Sequence, residues 1–403
     1  MRRSRLLLMC GIVLRLALLA GIFLMVLHTI TQQGTPHTMT QTSPTQGINA
    51  TLGAWIYPDK PGSPACSAAA EYSDGRQVNV LKPQYYTFND NGTLTQITAS
   101  AQCNGYSPVN AADVKAHSQQ QFVTISGYNK VLSAFSANPD VQIADINTLV
   151  SFVESINFTG IELDLEGYGA WTPQQYAQYK YLVTLLGSAL HSAHKLLMID
   201  GPIIMNATYQ GYYQWKYEDF EDLPVDYIVA MCYDLQADLG NGTPVSSLQD
   251  ITSCCAWLKA RISDPNRLVI GLPSYGYMGV TAAYEAREIS ASQAAQQPGY
   301  TTAKRDPASG EMTWQVGNTS YDYSDSTTMN MKLQAVLASG IQSVSVWALG
   351  GGNPWFSPAK SSPSQPTTPT QTSDAALVAF TEKYPGFDSW YSKHFDTQGN
   401  YLG

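Results

Sequence analysis

Apolar residues in this chain fall into short β-rich runs separated by longer amphipathic or irregular stretches. The runs Leu52 to Tyr57, Val78 to Phe88, Phe122 to Ser126, Gly160 to Leu165, Leu196 to Gly201, Tyr227 to Tyr233, Leu268 to Leu272 and Ser343 to Ala348 read as strands. Helical spacing of apolar positions predicts helices over Ile146 to Ile156 and Pro173 to Ala193, the second with Tyr176, Tyr179, Leu182, Val183, Leu186 and Leu190 on one face. Strands alternating with helices specify a parallel sheet covered on both faces. Eight such units predict an α/β fold of the (β/α)8 TIM barrel type. An open doubly wound sheet is the alternative, but no G-x-G-x-x-G follows the first strand, so its dinucleotide-binding form has little support. The gap between the seventh and eighth strands, about 278–330, carries two β-like pieces around Trp314 and Tyr321 and reads as a small α+β insertion. Insertions on barrels tend to decorate the carboxyl end of the strands, where ligands bind.

Outside residues 50–357 the pattern changes. Residues 1–30 open with Arg2, Arg3 and Arg5 and continue as an apolar run from Leu6 to Leu27 broken by Arg15, which reads as a signal peptide or as a single amino-terminal membrane anchor with the basic end cytoplasmic. Either reading places the remainder outside the cell or at its surface. Residues 31–49 and 358–373 are Thr, Gln, Ser and Pro without apolar period, so they read as linkers. Residues 374–403 form a short carboxyl-terminal appendage, too small to build a core alone.

Hydrophobic residues make up 44% of the 403, enough for a large core, while charged residues make up only 13%, so the surface is polar but mostly uncharged. A net charge of −9 argues against nucleic acid as a partner, and neutral glycans fit better. The six cysteines include no Cys-x-x-Cys pair, which argues against a zinc site. Cys66 and Cys103 could bridge in an oxidising compartment, whereas the adjacent Cys254 and Cys255 could hardly pair with each other without strain.

The most informative stretch is FTGIELDLEGYG, in which Ile161, Leu163 and Leu165 alternate with Glu162, Asp164 and Glu166. On a strand the three acids share one face, with neighbours about 6 to 7 Å apart. In a dry interior such like charges repel, which raises carboxyl pKa values and lets an acid hold its proton near neutral pH. A solvent-facing strand would merely keep one side wet. A barrel strand has helices outside and a packed lumen inside, so acids towards its carboxyl end read as a site.

Thr159-Gly160-Ile161-Glu162-Leu163-Asp164-Leu165-Glu166 resembles the Asp-Gly-x-Asp-x-Asp-x-Glu of the fourth barrel strand in glycoside hydrolase family 18, the chitinases and related N-acetylglucosaminidases. The last Asp and the Glu match, while Thr159 and Glu162 replace the first two acids. Met231-Cys232-Tyr233-Asp234 resembles the family's sixth-strand Met-x-Tyr-Asp. Gly271-Leu272-Pro273-Ser274-Tyr275-Gly276 resembles its seventh-strand Gly-x-Pro-x-Tyr-Gly, and the run from Gly340 to Gly350, with Trp347, resembles its closing strand. Four motifs in register cover roughly residues 50–357, with the bacterial spore-cortex and cell-wall subgroup the most similar.

The resemblance implies an exported glycosidase acting on β-linked N-acetylglucosamine polymers, peptidoglycan or chitin, by a retaining, substrate-assisted mechanism without cofactor or metal. Its catalytic residues would be Glu166 as acid and base, Asp164 orienting the acetamide, Glu162 tuning Asp164, and Tyr233 donating to the acetamide oxygen. Trp347, Asp234, Met231 and Tyr275 would bind substrate. A non-catalytic glycan-binding protein of the same fold is the alternative, kept open by Thr159 and Glu162. After the fifth strand, Tyr209, Tyr212, Tyr213, Trp215 and Tyr217 read equally as a sugar platform or as packing in the barrel shell.

Overall fold

The computed structural model describes residues 50–57, 78–89, 91–98, 105–127, 132 and 138–356. The amino-terminal 1–30 segment, both linkers, the carboxyl-terminal appendage and the Cys66–Cys103 pairing lie outside the described residues. Among those described, no helix is long and apolar enough to cross a membrane.

Eight parallel strands close into a barrel: β1 (Thr51–Ile56), β2 (Val80–Phe88), then, after the short antiparallel β3 (Leu94–Gln96) on the flank of β2, β4 (Gln120–Gly127), β5 (Gly160–Leu165), β6 (Leu196–Pro202), β7 (Tyr227–Met231) and β8 (Leu268–Pro273). The last, β14 (Ser343–Trp347), pairs with both β8 and β1, and β1 pairs with β2, so no barrel edge is left open. All eight strands fall where the apolar runs predict them, with ends that coincide or differ by at most two residues.

Helices α1 (Pro108–Ala116), α2 (Pro139–Ser155), α3 (Pro173–Ser192), α4 (Ala207–Tyr212), α5 (Leu235–Leu239) and α6 (Leu248–Lys259) lie between the strands. Three of them begin with the same local signal. Ser107, Asn138 and Thr172 each accept a backbone N–H with their side chains, and a proline follows at the first helical position. Thr172 forms a reciprocal pair with Gln175. Helix α2 starts seven residues before the predicted Ile146, because its first turns present Val141 and Ile143 to solvent and show no apolar face. Its cap, Asn138-Pro139, was the better signal.

Between β8 and β14 the chain builds a five-stranded antiparallel sheet from β9 (Gly276–Val280), β10 (Arg287–Ile289), β11 (Lys304–Arg305), β12 (Met312–Val316) and β13 (Thr319–Tyr323), in the order β10-β9-β13-β12-β11. A four-residue helix, α7 (Ala291–Ala294), and α8 (Ser326–Ala338) complete the segment. The insertion has a small core of its own, in which Trp314 stacks on Tyr321 at 4.6 Å. A buried clasp holds it to the barrel: Glu311 accepts hydrogen bonds from the Val245 and Ser246 N–H groups and from Lys332 Nζ at 2.6 Å.

Glycine 160 shows how closely β5 and β6 approach. A Cβ there would lie 2.1 Å from the Leu196 carbonyl oxygen, so any side chain must push the strands apart just below the acidic residues. Gly160→Ala is expected to cost about 1 to 3 kcal/mol, the usual range for overpacking, measured as a lowered urea midpoint with unchanged slope.

Candidate functional site

Strand β5 places Glu162 and Asp164 on the lumen side, while Ile161, Leu163 and Leu165 join the hydrophobic core. Register sets their neighbours. Thr124 and Met198 stand opposite Glu162, and Ser126 opposite Asp164. Glu166 follows the strand, ahead of Gly167, whose φ of 103° turns the chain out of the barrel. Asp164 and Glu166 open into a cleft of about 410 Å3 lined by Trp55, Asp164, Glu166, Asp200, Tyr212, Tyr213, Met231, Tyr233, Asp234, Asp238 and Trp347, among others.

Glu166 is reachable by solvent through this cleft. Even so, the surrounding protein deprives its carboxylate of hydration and, with Asp234 nearby, pushes its pKa up to about 7. Asp164 is buried and held well above the ordinary carboxyl range, first by burial and then by Glu166 and Glu162, with Lys82 pulling the other way. Its Oδ1 has no hydrogen-bond donor and lies in a residue that faces the cleft. Asp234, at a left-handed φ of 67°, accepts hydrogen bonds from the Tyr275 hydroxyl at 2.5 Å and the Tyr277 hydroxyl at 3.1 Å. Burial raises its pKa and those two hydroxyls oppose the rise.

Trp347 ends β14 and precedes a cis peptide bond to Ala348. Its ring lies against Trp55 at 5.6 Å and Tyr57 at 5.4 Å, and the Ser274 N–H and hydroxyl both donate to its carbonyl at 2.9 Å. The indole is half-buried, with one side open to the cleft. Tyr233 lines the same cleft beside Met231.

Two of the residues singled out from sequence stand one layer back. Tyr275 is buried behind Asp234 and does not line the cleft. Glu162 is sealed beneath it, accepting hydrogen bonds from Lys82 Nζ at 2.5 Å, Trp55 Nε1 at 2.9 Å and Thr124 Oγ1 at 2.5 Å. Thr159 sits lower still, where its hydroxyl accepts the Gln121 N–H. The aromatic run after β6 divides: Tyr212 and Tyr213 reach the cleft, whereas Tyr209, Trp215 and Tyr217 are buried in the shell.

Sequence reading missed Lys82, Asp200 and Asp238. Asp200 is fully buried at the carboxyl end of β6, and neither of its oxygens receives a hydrogen bond. Asp238, on α5, has its pKa raised to about 7 by burial and by Asp234. A signal existed for the first two, since Lys82 and Asp200 are the only charged residues inside their strand runs. Among the described residues no group of three or more His, Cys, Asp or Glu side chains is placed to hold a metal ion.

Comparison with known proteins follows the same lines. Residues 66–352 match the family model described as "Glycosyl hydrolases family 18". A search of curated protein sequences returns no match. Among solved structures, a chitinase from Chromobacterium violaceum superposes with a TM-score of 0.62 at 16% identity, covering 75% of this chain and 95% of that one. A class V chitinase from Pseudomonas fluorescens gives 0.62 at 21% identity over 76% and 96%. The Bacillus cereus spore cortex-lytic enzyme SleL gives 0.63 at 15% identity over 76% and 72%. At these identities the superpositions establish a shared fold.

Proposed function

Because the chain belongs to glycosyl hydrolase family 18 and is a chitinase-like glycosidase, we propose that it cleaves β-linked N-acetylglucosamine polymers outside the cell, with retention of configuration and with the substrate's acetamide as nucleophile. The observation that carries this reading is Glu166, an acid at the cleft with a pKa raised to about 7, standing next to a buried Asp164 whose Oδ1 is left without a donor. A carboxyl so tuned is protonated often enough at neutral pH to protonate a leaving glycosidic oxygen, and afterwards, as the carboxylate, it takes a proton from the attacking water. Asp164 accepts the acetamide N–H with its free oxygen and, as the carboxylate, stabilises the positive oxazolinium ring. The Tyr233 hydroxyl holds the acetamide oxygen in line with the anomeric carbon, and Trp347 stacks beneath the sugar.

The cleft lining includes five carboxyls, Asp164, Glu166, Asp200, Asp234 and Asp238, and no Lys, Arg or His. Such a lining favours an uncharged sugar chain over a polyanionic one. Chitin meets that requirement fully, and peptidoglycan meets it only along its glycan backbone, since its stem peptides carry carboxylates. Export is supported by the basic start and apolar run from Leu6 to Leu27.

Residues 50–403 would be incubated with N-acetylglucosamine oligomers and with purified peptidoglycan, and products identified by mass and by the anomer first released. β-Anomeric sugar fragments support the reading and choose the polymer. Binding without any release would assign the chain to the glycan-binding alternative. The pH profile has a definite sign: the general acid must keep its proton, so kcat/KM is expected to fall with rising pH through an apparent pKa near 7.

A further inference from the structure

Beneath the cleft lies a charged set that the proposed chemistry does not use directly. Lys82, on β2, is 1% exposed, and its ammonium sits 2.5 Å from Glu162 Oε1 and 3.2 Å from the centre of the Trp55 ring. Glu162 Oε2 is taken by Trp55 and Thr124. With three donors on its two oxygens, Glu162 is nearly saturated as an acceptor. Asp164, on the same face, and Asp200, on neighbouring β6, have no such donors: Asp164 Oδ1 and both Asp200 oxygens accept no hydrogen bond, and Asp200 stands within hydrogen-bonding reach of Glu162.

We propose that Lys82 is a positioning residue: by pinning Glu162 in an ion pair, it decides that the exchangeable proton of the buried acids resides on Asp164 and Asp200. This rests on the hydrolase reading, and it deepens it, since the proton shared by the two acids must pass from Asp164 to Asp200 when positive charge forms on the substrate, leaving Asp164 as the carboxylate. The device compensates for the longer acid at position 162. A carboxylate held by an ammonium, an indole N–H and a hydroxyl is fixed in place as an acceptor, so a proton carried by Asp200 can be hydrogen-bonded to it.

The groups facing this set are Glu162, Asp164 and Glu166 from β5 and its end, Asp200 from β6, Lys82 from β2, Trp55 from β1 and Thr124 and Ser126 from β4. Tyr168 after β5, Tyr179 from α3, and Tyr233 and Asp234 after β7 complete it. Burial raises both Asp164 and Asp200, the neighbouring acids add to the rise, and the Lys82 charge opposes it at each. The acid limb of kcat/KM therefore follows the pair as a coupled unit. Loss of the ammonium lets the set hold its proton to higher pH, so that limb moves upward towards the limb set by Glu166.

The test compares wild type, Lys82→Met and Lys82→Met/Glu162→Gln on N-acetylglucosamine oligomers across pH. Lys82→Met is expected to raise the acid limb by about one pH unit or more and to lower kcat by roughly tenfold or more with KM little changed. The double variant removes both charges of the pair, a replacement that buried ion pairs commonly tolerate, and its acid limb is expected to return towards that of wild type. A merely structural role would not produce that return. A folded Lys82→Met enzyme with an unmoved acid limb overturns the proposal, as does a double variant whose limb stays high. If Lys82→Met does not fold, Lys82→Gln takes its place: a raised acid limb supports the proposal and an unmoved one overturns it. If wild type releases no sugar, the hydrolase reading fails separately. Infrared titration of the protonated carboxyl band then tests Lys82 alone: a band persisting to higher pH in Lys82→Met than in wild type supports the assignment, and superimposable titrations refute it.

Discussion

Glu166→Gln is expected to lower kcat by about 10³-fold or more while leaving oligosaccharide affinity within a few-fold of wild type. The substitution keeps the size of the side chain and its ability to hydrogen-bond, and it removes the transferable proton. Glu166 is placed to make the change specific: it lies just past β5, reachable from the cleft, and its neighbours hold its pKa at about 7. Replacing it also removes one of the charges that raise Asp164, so the remaining acid should ionise more easily in the variant than in wild type. Fluorescence of Trp347 and Trp55 at the cleft offers a binding readout independent of turnover. Comparable turnover by wild type and variant would remove Glu166 from the reaction and with it the central assignment.

Asp164→Asn is expected to lower kcat by roughly 10²- to 10³-fold, with a smaller effect on KM. The amide can still accept a hydrogen bond from the substrate's acetamide N–H, so ground-state binding is preserved. In the proposed mechanism, what it cannot do is become negative as the oxazolinium forms in a site where burial strengthens every charge. The same burial makes Asp164 hard to ionise at rest, and Lys82 is the cation that offsets it. The acid limb of the wild-type profile should accordingly disappear in Asp164→Asn, leaving the fall near pH 7 set by Glu166. An acid limb retained in the variant would mean that another group, Asp200 foremost, sets it.

Much of the barrel was legible because the signals are local. Alternation with period two decides which face of β5 each residue takes, whatever the strand pairs with, so Glu162 and Asp164 could be placed together on the lumen side from the run Gly160 to Leu165 alone. Helix starts at Ser107, Asn138 and Thr172 are likewise written in a few adjacent residues. Strand β7 stopped short of its predicted end because Tyr233 and Asp234 turn away, Asp234 into the left-handed region. No apolar pattern records that turn.

What the sequence determined by itself is the set of eight strands, the insertion before the last of them, and the acids at the end of β5, since each depends on periodicity or on neighbours a few residues apart. Only the tertiary structure decided which of those acids faces the cleft. Glu162 and Lys82 are 80 positions apart, and barrel closure through β1, β2 and β4 brings Lys82, Trp55 and Thr124 onto one carboxylate. Closure likewise sets Asp200 beside Asp164, turns Tyr212 and Tyr213 into the cleft while burying Trp215, and puts Tyr275 behind Asp234. The physical reason is that desolvation and charge pairing depend on distance in space: β5 carries Glu162 and Asp164, but β1, β2, β4 and β6 determine which of the buried acids keeps a proton.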